Sequence, residues 1–303
     1  MSKKLPLKTA LIITTYNQPD ILDFVLETAF RQKVAPNEII VADDGSGEET
    51  ERVIRKAAEK SPVPIKHVWQ PDEGFRLNHS RNNAIAVAES EYLILTDGDC
   101  FLGEWFVHDH LQFARQGRFI AGTRVNVKRK LREKILLTRN AKIKFLTRGT
   151  SKKFNSIRSY ALATLQSRYT SPKPGKKLEP LVWKPGVAGA NLAFFRTDAE
   201  HINGFNEFMS FYGGNDLEFC ARLERIGVRR FKVRHYAMNY HFQHDLRHGV
   251  KSQKEKPTPT SLEYLASLDE SQTRCVNTFG LTRALSQKKR PSVVDESYQK
   301  YEF

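Results

Sequence analysis

The chain is short of the residues that mark several common classes of protein. Its three cysteines, Cys100, Cys220 and Cys275, are an odd number without metal-type spacing. That excludes a disulfide framework and fits a reducing cytosol. No apolar run approaches the roughly 20 residues needed to span a bilayer. The opening MSKKLPLKTALIITTYN is basic and then apolar, like a signal peptide, but its apolar part is short and lacks a small-residue cleavage site. It reads as a first strand. Acid is scarce too: 34 Asp and Glu face 49 Lys and Arg, for a net charge of +15. Such a balance implies a polyanionic partner: nucleic acid, an anionic membrane or a phosphorylated substrate.

What is present describes a folded domain. With 40% hydrophobic and 11% aromatic residues over 303 positions, the chain can bury a sizeable core. TALIIT, NEIIVADDGS, VPIKHVWQ and YLILTD read as strands. The stretches between them, QPDILDFVLETAFRQ, EETERVIRKAAEK and NHSRNNAIAVAES, carry apolar residues at helical spacing. This alternation predicts right-handed βαβ units and a mainly parallel sheet.

In such a sheet, ligands bind beyond the carboxyl ends of the strands. Thr15-Tyr16-Asn17, Asp43-Asp44 and Asp97-Gly98-Asp99 all fall at strand ends and are predicted to meet in one crevice. Asp97 and Asp99 pose a specific question, because two carboxylates at the tip of a buried strand repel each other. A turn is one answer. A cation held between them is the other, with Gly98 admitting a second backbone or a ligand.

Between residues 124 and 178 the chain is dense in Lys and Arg, and Glu133 is the only acidic residue. KILLTRNAKIKFLTR mixes apolar and basic residues at roughly helical spacing. A solvated structural insert, a nucleic-acid surface and an amphipathic segment on an anionic membrane all fit, and the membrane contact is the preferred reading. Further on, FYGGNDLEFCARLERIG places Asp216 and Glu218 at the start of a helix, where negative charge is favoured whatever its function. RRFKVRHYAMNYHFQHD reads as a strand delivering His241 and His244. The tail 251–303 is expected to be peripheral to a domain formed by residues 1–250.

Four stretches in order, TTYNQPD, VADDGSGEET, LTDGDC and GGNDLEFCARL, resemble the family-2 glycosyltransferases, especially the bacterial branch related to chondroitin polymerase. The resemblance covers about residues 8 to 245. GGNDLEFCARL with the downstream YAMNYH is also similar to β-1,4-galactosyltransferases. The resemblance implies a GT-A fold, which is Rossmann-like with a mainly parallel sheet flanked by helices, here with a basic helical insert and the peripheral tail.

It further implies an inverting, metal-dependent transfer of a hexose or N-acetylhexosamine from a UDP-sugar to a glycan or glycolipid acceptor. A bacterial surface glycan such as a lipopolysaccharide core or capsule is expected, at the inner face of the cytoplasmic membrane. Asp99 is then the direct ligand of Mn2+ or Mg2+, with Asp97 a second candidate, and His241 supplies an imidazole, with His244 its competitor. Thr15, Tyr16, Asn17, Asp97 and Gly98 are expected around the nucleotide. Asp43 or Asp44 accepts from uracil N3, and Arg81 or Arg76 holds the nucleotide. Asp216 matches the catalytic base. Asn191, Gly213, Gly214, Asn215 and Glu218 are expected near the sugars, and Arg222 pairs with this acidic cluster. Many relatives have Glu where this chain has Asn215, which leaves Asp216 as the proton acceptor.

Two other readings explain less. A nucleic-acid-binding protein accounts for the charge but leaves Asp97, Asp99, Asp216 and His241 without work. A sugar-nucleotide nucleotidyltransferase should carry a glycine-rich, lysine-containing loop after its first strand, and TTYNQPD has no glycine.

Overall fold

The computed structural model describes residues 7–127, 129–139, 189–209, 214–233, 236–242, 280–295 and 297–303. The first half alternates as the periodicity predicts: β1 (Thr9–Thr15), α1 (Pro19–Phe30), β2 (Glu38–Asp43), α2 (Glu48–Ala58), β3 (Ile65–Trp69), α3 (Leu77–Val87) and β4 (Tyr92–Asp97). Local chemistry explains these boundaries. Pro19 opens α1, where a missing N–H costs nothing. Glu48, Glu49 and Glu51 open α2 while Arg55 and Lys56 close it, complementing the helix dipole.

After β4 come β5 (Cys100–Leu102), α4 (Phe106–Phe113), β6 (Arg118–Ala121), β7 (Thr123–Val127) and α5 (Arg129–Thr138). A single 3-10 turn at Gly189–Asn191 then leads into β8 (Leu192–Phe195) and α6 (Arg196–His201). They are followed by α7 (Asn215–Arg225), β9 (Arg229–Lys232), β10 (Met238–Phe242), α8 (Leu281–Gln287), β11 (Val293–Val294) and β12 (Tyr298–Glu302). The main sheet has nine strands in the order β11-β12-β3-β2-β1-β4-β8-β6-β9, and a small second sheet is ordered β5-β10-β7.

Strands β12, β3, β2, β1 and β4 all run parallel, and β8 is antiparallel to both β4 and β6. Every residue of β1 is buried, as expected of a strand covered on both faces. One core layer joins Leu11, Ile13, Phe24, Val25 and Phe101, and the other joins Ile12, Ile40, Phe194, Phe205 and Phe219.

The structure departs from the sequence reading in two places. The single strand read from RRFKVRHYAMNYH is two, β9 and β10, which belong to different sheets. The end of the tail is not peripheral: Tyr298 to Glu302 pair in parallel with Ile65 to Trp69, and α8 packs beside α3. The physical reason is the open edge of β3, whose backbone groups need partners, together with Tyr298 and Tyr301, which are buried there. Residues 251–279 lie outside the described residues, as does the insert from 140 onward. Its described beginning, α5, packs Ile135 into the core, leaves Leu137 exposed, and is followed by Arg139, which pairs with Asp23 and Glu27 of α1.

Candidate active site

Strand order reverses between β1 and β4, because β1 connects outward to β2 while β4 lies on its other side. A crevice forms beyond the carboxyl ends at such a point. The three predicted polar clusters do meet there. Asp44 N–H donates to Thr15 O (3.0 Å), and Gly98 N–H donates to Thr14 O (2.6 Å), tying the tips of β2 and β4 to that of β1. A Cβ on Gly98 would stand 2.7 Å from Thr14 O, so the close backbone approach requires glycine.

Asp97 and Asp99 share this rim with a third residue that the sequence reading did not single out. Donor atoms of Asp97, Asp99 and Cys100 all lie within 4.8 Å of one another. The buried Cys100 thiol lies 3.3 Å from Asp99 Oδ1. Burial, then Asp99, push that thiol well above its usual range, so it acts as a neutral donor. Removal from water, then the Asp99 carboxylate, raise the Asp97 carboxyl, while Arg81 and the Thr14 hydroxyl work against the rise.

The neighbouring small sheet brings an imidazole to Asp99. Phe242 N–H donates to Asp99 O (2.9 Å), and this aligns β10 so that His241 Nε2 lies 3.4 Å from Asp99 Oδ2. His241 Nδ1 lies 3.2 Å from Asn126 Oδ1 on β7, and that contact orients the ring. Two carboxylates and an imidazole are a donor set suited to Mn2+ or Mg2+, and the mutual repulsion of the acids is what a cation would relieve. His244 lies outside the described residues.

The adjoining rim is built from the tips of β1 and β2. Asn17 takes the left-handed conformation (φ 45°), and its N–H donates to Ser46 Oγ (2.9 Å) while Gly47 N–H donates to Asn17 Oδ1 (3.0 Å). The Tyr16 hydroxyl donates to Asp72 (2.8 Å). Asp43 is turned inward: Oδ1 accepts from Ser46 N–H (2.8 Å) and Oδ2 lies 2.9 Å from His67 Nε2. Asp44 accepts from Gln70 Nε2 (2.7 Å) and from Arg76 N–H (3.0 Å), and burial lifts its carboxyl to about 6 despite both bonds. The Arg76 guanidinium folds back on its own loop, onto Pro71 O and Glu73.

Helix α3 is unusual in burying Asn78, Ser80, Arg81, Asn82 and Asn83. Polar side chains can be buried when they are hydrogen-bonded, and here Asn78 donates to Asn206 O, Asn82 to Phe205 O and Asn83 to Gln70 Oε1. Arg81 reaches across the crevice. Its Nη1 is 2.9 Å from Asp216 Oδ1 and its Nη2 is 3.8 Å from Asp97 Oδ1. Asp216 sits in the first turn of α7, after Gly214 in the left-handed conformation (φ 76°), and its Oδ2 accepts from Gly189 N–H (2.6 Å). A Cβ on Gly189 would run into Asp216 Oδ1 and stand 2.5 Å from Arg81 Nη2, so Gly189 belongs to this arrangement although the sequence reading did not select it.

Two residues expected at the sugars are instead engaged beneath the crevice. Asn191 is fully buried: its amide donates to Ala237 O (2.7 Å), and its Oδ1 faces His110 Nε2 at 3.0 Å. Burial holds His110 at about 3, so it is a neutral donor. Glu218 is clamped by Arg222 through two bonds (2.6 and 2.8 Å), and Arg222 also donates to Ile202 O and Gly204 O. Arg222 therefore pairs within the acidic cluster as expected, but with Glu218. Asn215 is buried at the start of α7, and Gly213 lies outside the described residues.

The stretches of chain that build this crevice match known family models. Residues 10–171 match the model described as glycosyl transferase family 2, and residues 175–245 match one described as the N-terminal domain of galactosyltransferase. The chain belongs to glycosyltransferase family 2. Over 238 residues it is 29% identical to the chondroitin synthase of Pasteurella multocida (strain Pm70), an alignment covering 77% of this chain and 24% of that protein. It thus spans about a quarter of the length of the curated relatives it matches first.

Solved structures share the GT-A fold. A mannosyltransferase from Pyrobaculum calidifontis, in complex with GDP-Man and Mn2+, superposes with a TM-score of 0.54 at 17% identity, over 87% of this chain and 64% of that one. TarS 1-349 of S. aureus, in complex with UDP-GlcNAc, gives 0.53 at 15% identity, over 88% and 69%.

Proposed function

We propose that the protein is an inverting, divalent-cation-dependent glycosyltransferase. It moves a hexose or N-acetylhexosamine from a UDP-sugar to a hydroxyl of a bacterial surface-glycan acceptor, such as a lipopolysaccharide core, capsule or related polysaccharide. The observation that carries this reading is the placement of Asp216 across the crevice from Asp97, Asp99 and His241, with Arg81 between the two walls.

Asp99 and His241, with Asp97 beside them, would hold Mn2+ or Mg2+. When bound there, such a cation would supply positive charge to offset what collects on a leaving diphosphate. On the other wall the Asp216 carboxylate accepts the proton of the attacking hydroxyl. The acceptor oxygen bonds to the anomeric carbon from the face opposite the nucleotide, while the bond to the diphosphate oxygen breaks and its electron pair leaves with UDP. Inversion follows from that opposed geometry. Arg81 and the Gly189 N–H fix the carboxylate, and each oxygen retains acceptor capacity for the incoming proton.

Asp44 is the residue assigned to uracil N3–H: both oxygens of each acid already accept one hydrogen bond, but Asp43 is 1% exposed and Asp44 6%. Thr15, Tyr16 and Asn17 flank the nucleotide, with Gly98 at the opposite tip. The basic stretch 124–178 is assigned to an anionic membrane surface. The exposed Leu137 on basic α5 supports this, and no described helix is long and apolar enough to cross a membrane. Attachment there puts the enzyme at the inner face of the cytoplasmic membrane.

The test is calorimetric titration with UDP, with and without Mn2+, on the protein and on Asp99→Ala. Cation-dependent UDP binding that disappears in the variant is expected. Absence of such binding in the unaltered protein, with UDP and other nucleoside diphosphates alike, would overturn the proposal.

A further inference from the structure

Two hydrogen-bonded chains run from the C-terminal segment to the Asp43-Asp44 pair, and the chemistry proposed above uses neither of them. In the first, Tyr298 Oη lies 2.9 Å from His67 Nδ1, and His67 Nε2 lies 2.9 Å from Asp43 Oδ2. A carboxylate only accepts, so Nε2 carries a proton toward Asp43, and Nδ1 pairs with the tyrosine hydroxyl. Burial, then Glu51, push the Tyr298 hydroxyl upward, which keeps it protonated. Beyond Asp43 the chain continues: Ser46 N–H donates to Asp43, and Asn17 N–H donates to Ser46 Oγ.

The second chain starts on α8. Arg283 Nη2 donates to Asn83 Oδ1 (2.8 Å), Asn83 Nδ2 to Gln70 Oε1 (2.8 Å), and Gln70 Nε2 to Asp44 Oδ1 (2.7 Å). The contacts that start the chains join residues 231 and 200 positions apart. Backbone pairing reinforces them. Phe303 N–H donates to Trp69 O, and the Trp69 indole donates to Ser46 O (3.0 Å), the same turn that Asp43 holds.

Fastening a strand to an edge needs only backbone pairing and apolar packing. His67, at 0% exposure, and Gln70, at 3%, are polar groups buried where their own pairing defines the placement of one acceptor each. Both chains end on the turn from Asp43 to Gly47, which faces the crevice. The proposed binding of a nucleoside diphosphate depends on the position of that turn.

We propose that α8 and β12 are a built-in prop that positions the nucleoside-diphosphate-binding turn, through Tyr298, His67 and Asp43 on one line and Arg283, Asn83, Gln70 and Asp44 on the other. The inference rests on the donor assignment made above, and it names Tyr298, His67, Arg283, Asn83 and Gln70 as positioning residues. Removing either line loosens the turn without touching the cation ligands.

The experiment compares the full chain with Tyr298→Phe, Arg283→Gln and, as a control in the same segment, Ser292→Ala, whose exposed hydroxyl bonds to Lys300 O. Amide hydrogen exchange is measured without ligand. Faster exchange at Ser46, Gly47 and Asn17 is expected in the first two variants and not in the control, with the amides of β1 unchanged. UDP affinity in the presence of Mn2+ is expected to fall about threefold to tenfold in each, while affinity for Mn2+ alone stays at the wild-type value.

Unchanged exchange at the turn in correctly folded Tyr298→Phe and Arg283→Gln would overturn the proposal, as would exchange raised evenly over the whole domain. If the unaltered protein does not bind UDP, the donor assignment fails, and local exchange still decides whether the prop exists. If one variant does not fold, the other carries the test.

Discussion

Arg81 on α3 and Asp216 on α7, 135 residues apart in sequence, form an ion pair of 2.9 Å across the crevice, and Arg81 also lies 3.8 Å from Asp97. A single buried guanidinium thus spans the distance between the carboxylate assigned to proton transfer and the strand tip assigned to the cation. Its planar fork has donors for both, which a lysine's point charge does not.

Replacing Asp216 with Asn keeps the shape and leaves one oxygen to accept from Arg81, but it gives up the bond from the Gly189 N–H and removes the proton acceptor. Transfer should fall by about 10²- to 10⁴-fold, the usual worth of general base catalysis, with UDP and Mn2+ affinity retained. Turnover assays with a labelled donor, beside calorimetry, separate the two effects. Near-normal turnover would remove Asp216 from the role.

The cation wall should be graded by ligand type. Asp99→Ala should abolish cation-dependent UDP binding. His241→Ala should weaken Mn2+ more than Mg2+, because imidazole favours the transition metal. Paramagnetic resonance of free Mn2+ during titration measures this directly, and equal loss for both ions would argue against ligation by His241.

Gly189→Ala should disturb the site without any loss of a functional group. The added methyl would run into Asp216 Oδ1 and stand 2.5 Å from Arg81 Nη2, so the ion pair must shift. A stability cost of about 1–3 kcal/mol and a disproportionate loss of turnover are expected. Thermal melts and kinetics on the same preparation check both, and unaltered turnover would show that the pair need not be where it is.

Asp44 makes the protein sensitive to pH in a defined window. Its folded value of about 6 lies above the ordinary 3.8, so between these values the folded state holds a proton that the unfolded chain has released. Stability should therefore decline as pH rises from 3.8 to about 6, by at most about 3 kcal/mol. UDP affinity should move the opposite way, increasing through about pH 6 as the carboxylate becomes a full acceptor for uracil N3–H. Denaturant melts and calorimetry across pH 4–7 test this, with Asp44→Asn expected to flatten both profiles.

Neutralising Lys130, Arg132 and Lys134 on α5 should weaken binding to vesicles rich in phosphatidylserine, more so at low salt, and leave UDP affinity intact. Vesicle sedimentation measures it. Unchanged sedimentation would return the segment to a purely structural role.

Much of this protein was decided locally and could be read as text. The period of the apolar residues specified alternating strands and helices, hence a parallel sheet. Because such strands end in a common crevice, the clusters at Thr15, Asp43 and Asp97 could be brought together before any coordinates. The D-G-D spacing, Asp216 at a helix start and His241 in a strand were legible for the same reason: each depends on a few neighbouring residues.

What needed tertiary structure was everything set by partners distant in the chain. Asn191 and Glu218 have the residue types of sugar contacts, yet their bonds to Ala237, His110 and Arg222 hold them beneath the crevice. Gly189 matters only because Asp216 folds against it, and Cys100 because β10 closes over Asp99. The C-terminal strand has a composition that reads as peripheral, and it joins the main sheet because β3 offers an unpaired edge. Local sequence sets period and turn chemistry, whereas the satisfaction of buried polar groups is a property of the whole fold, and only the packed chain decides which side chains remain available for chemistry.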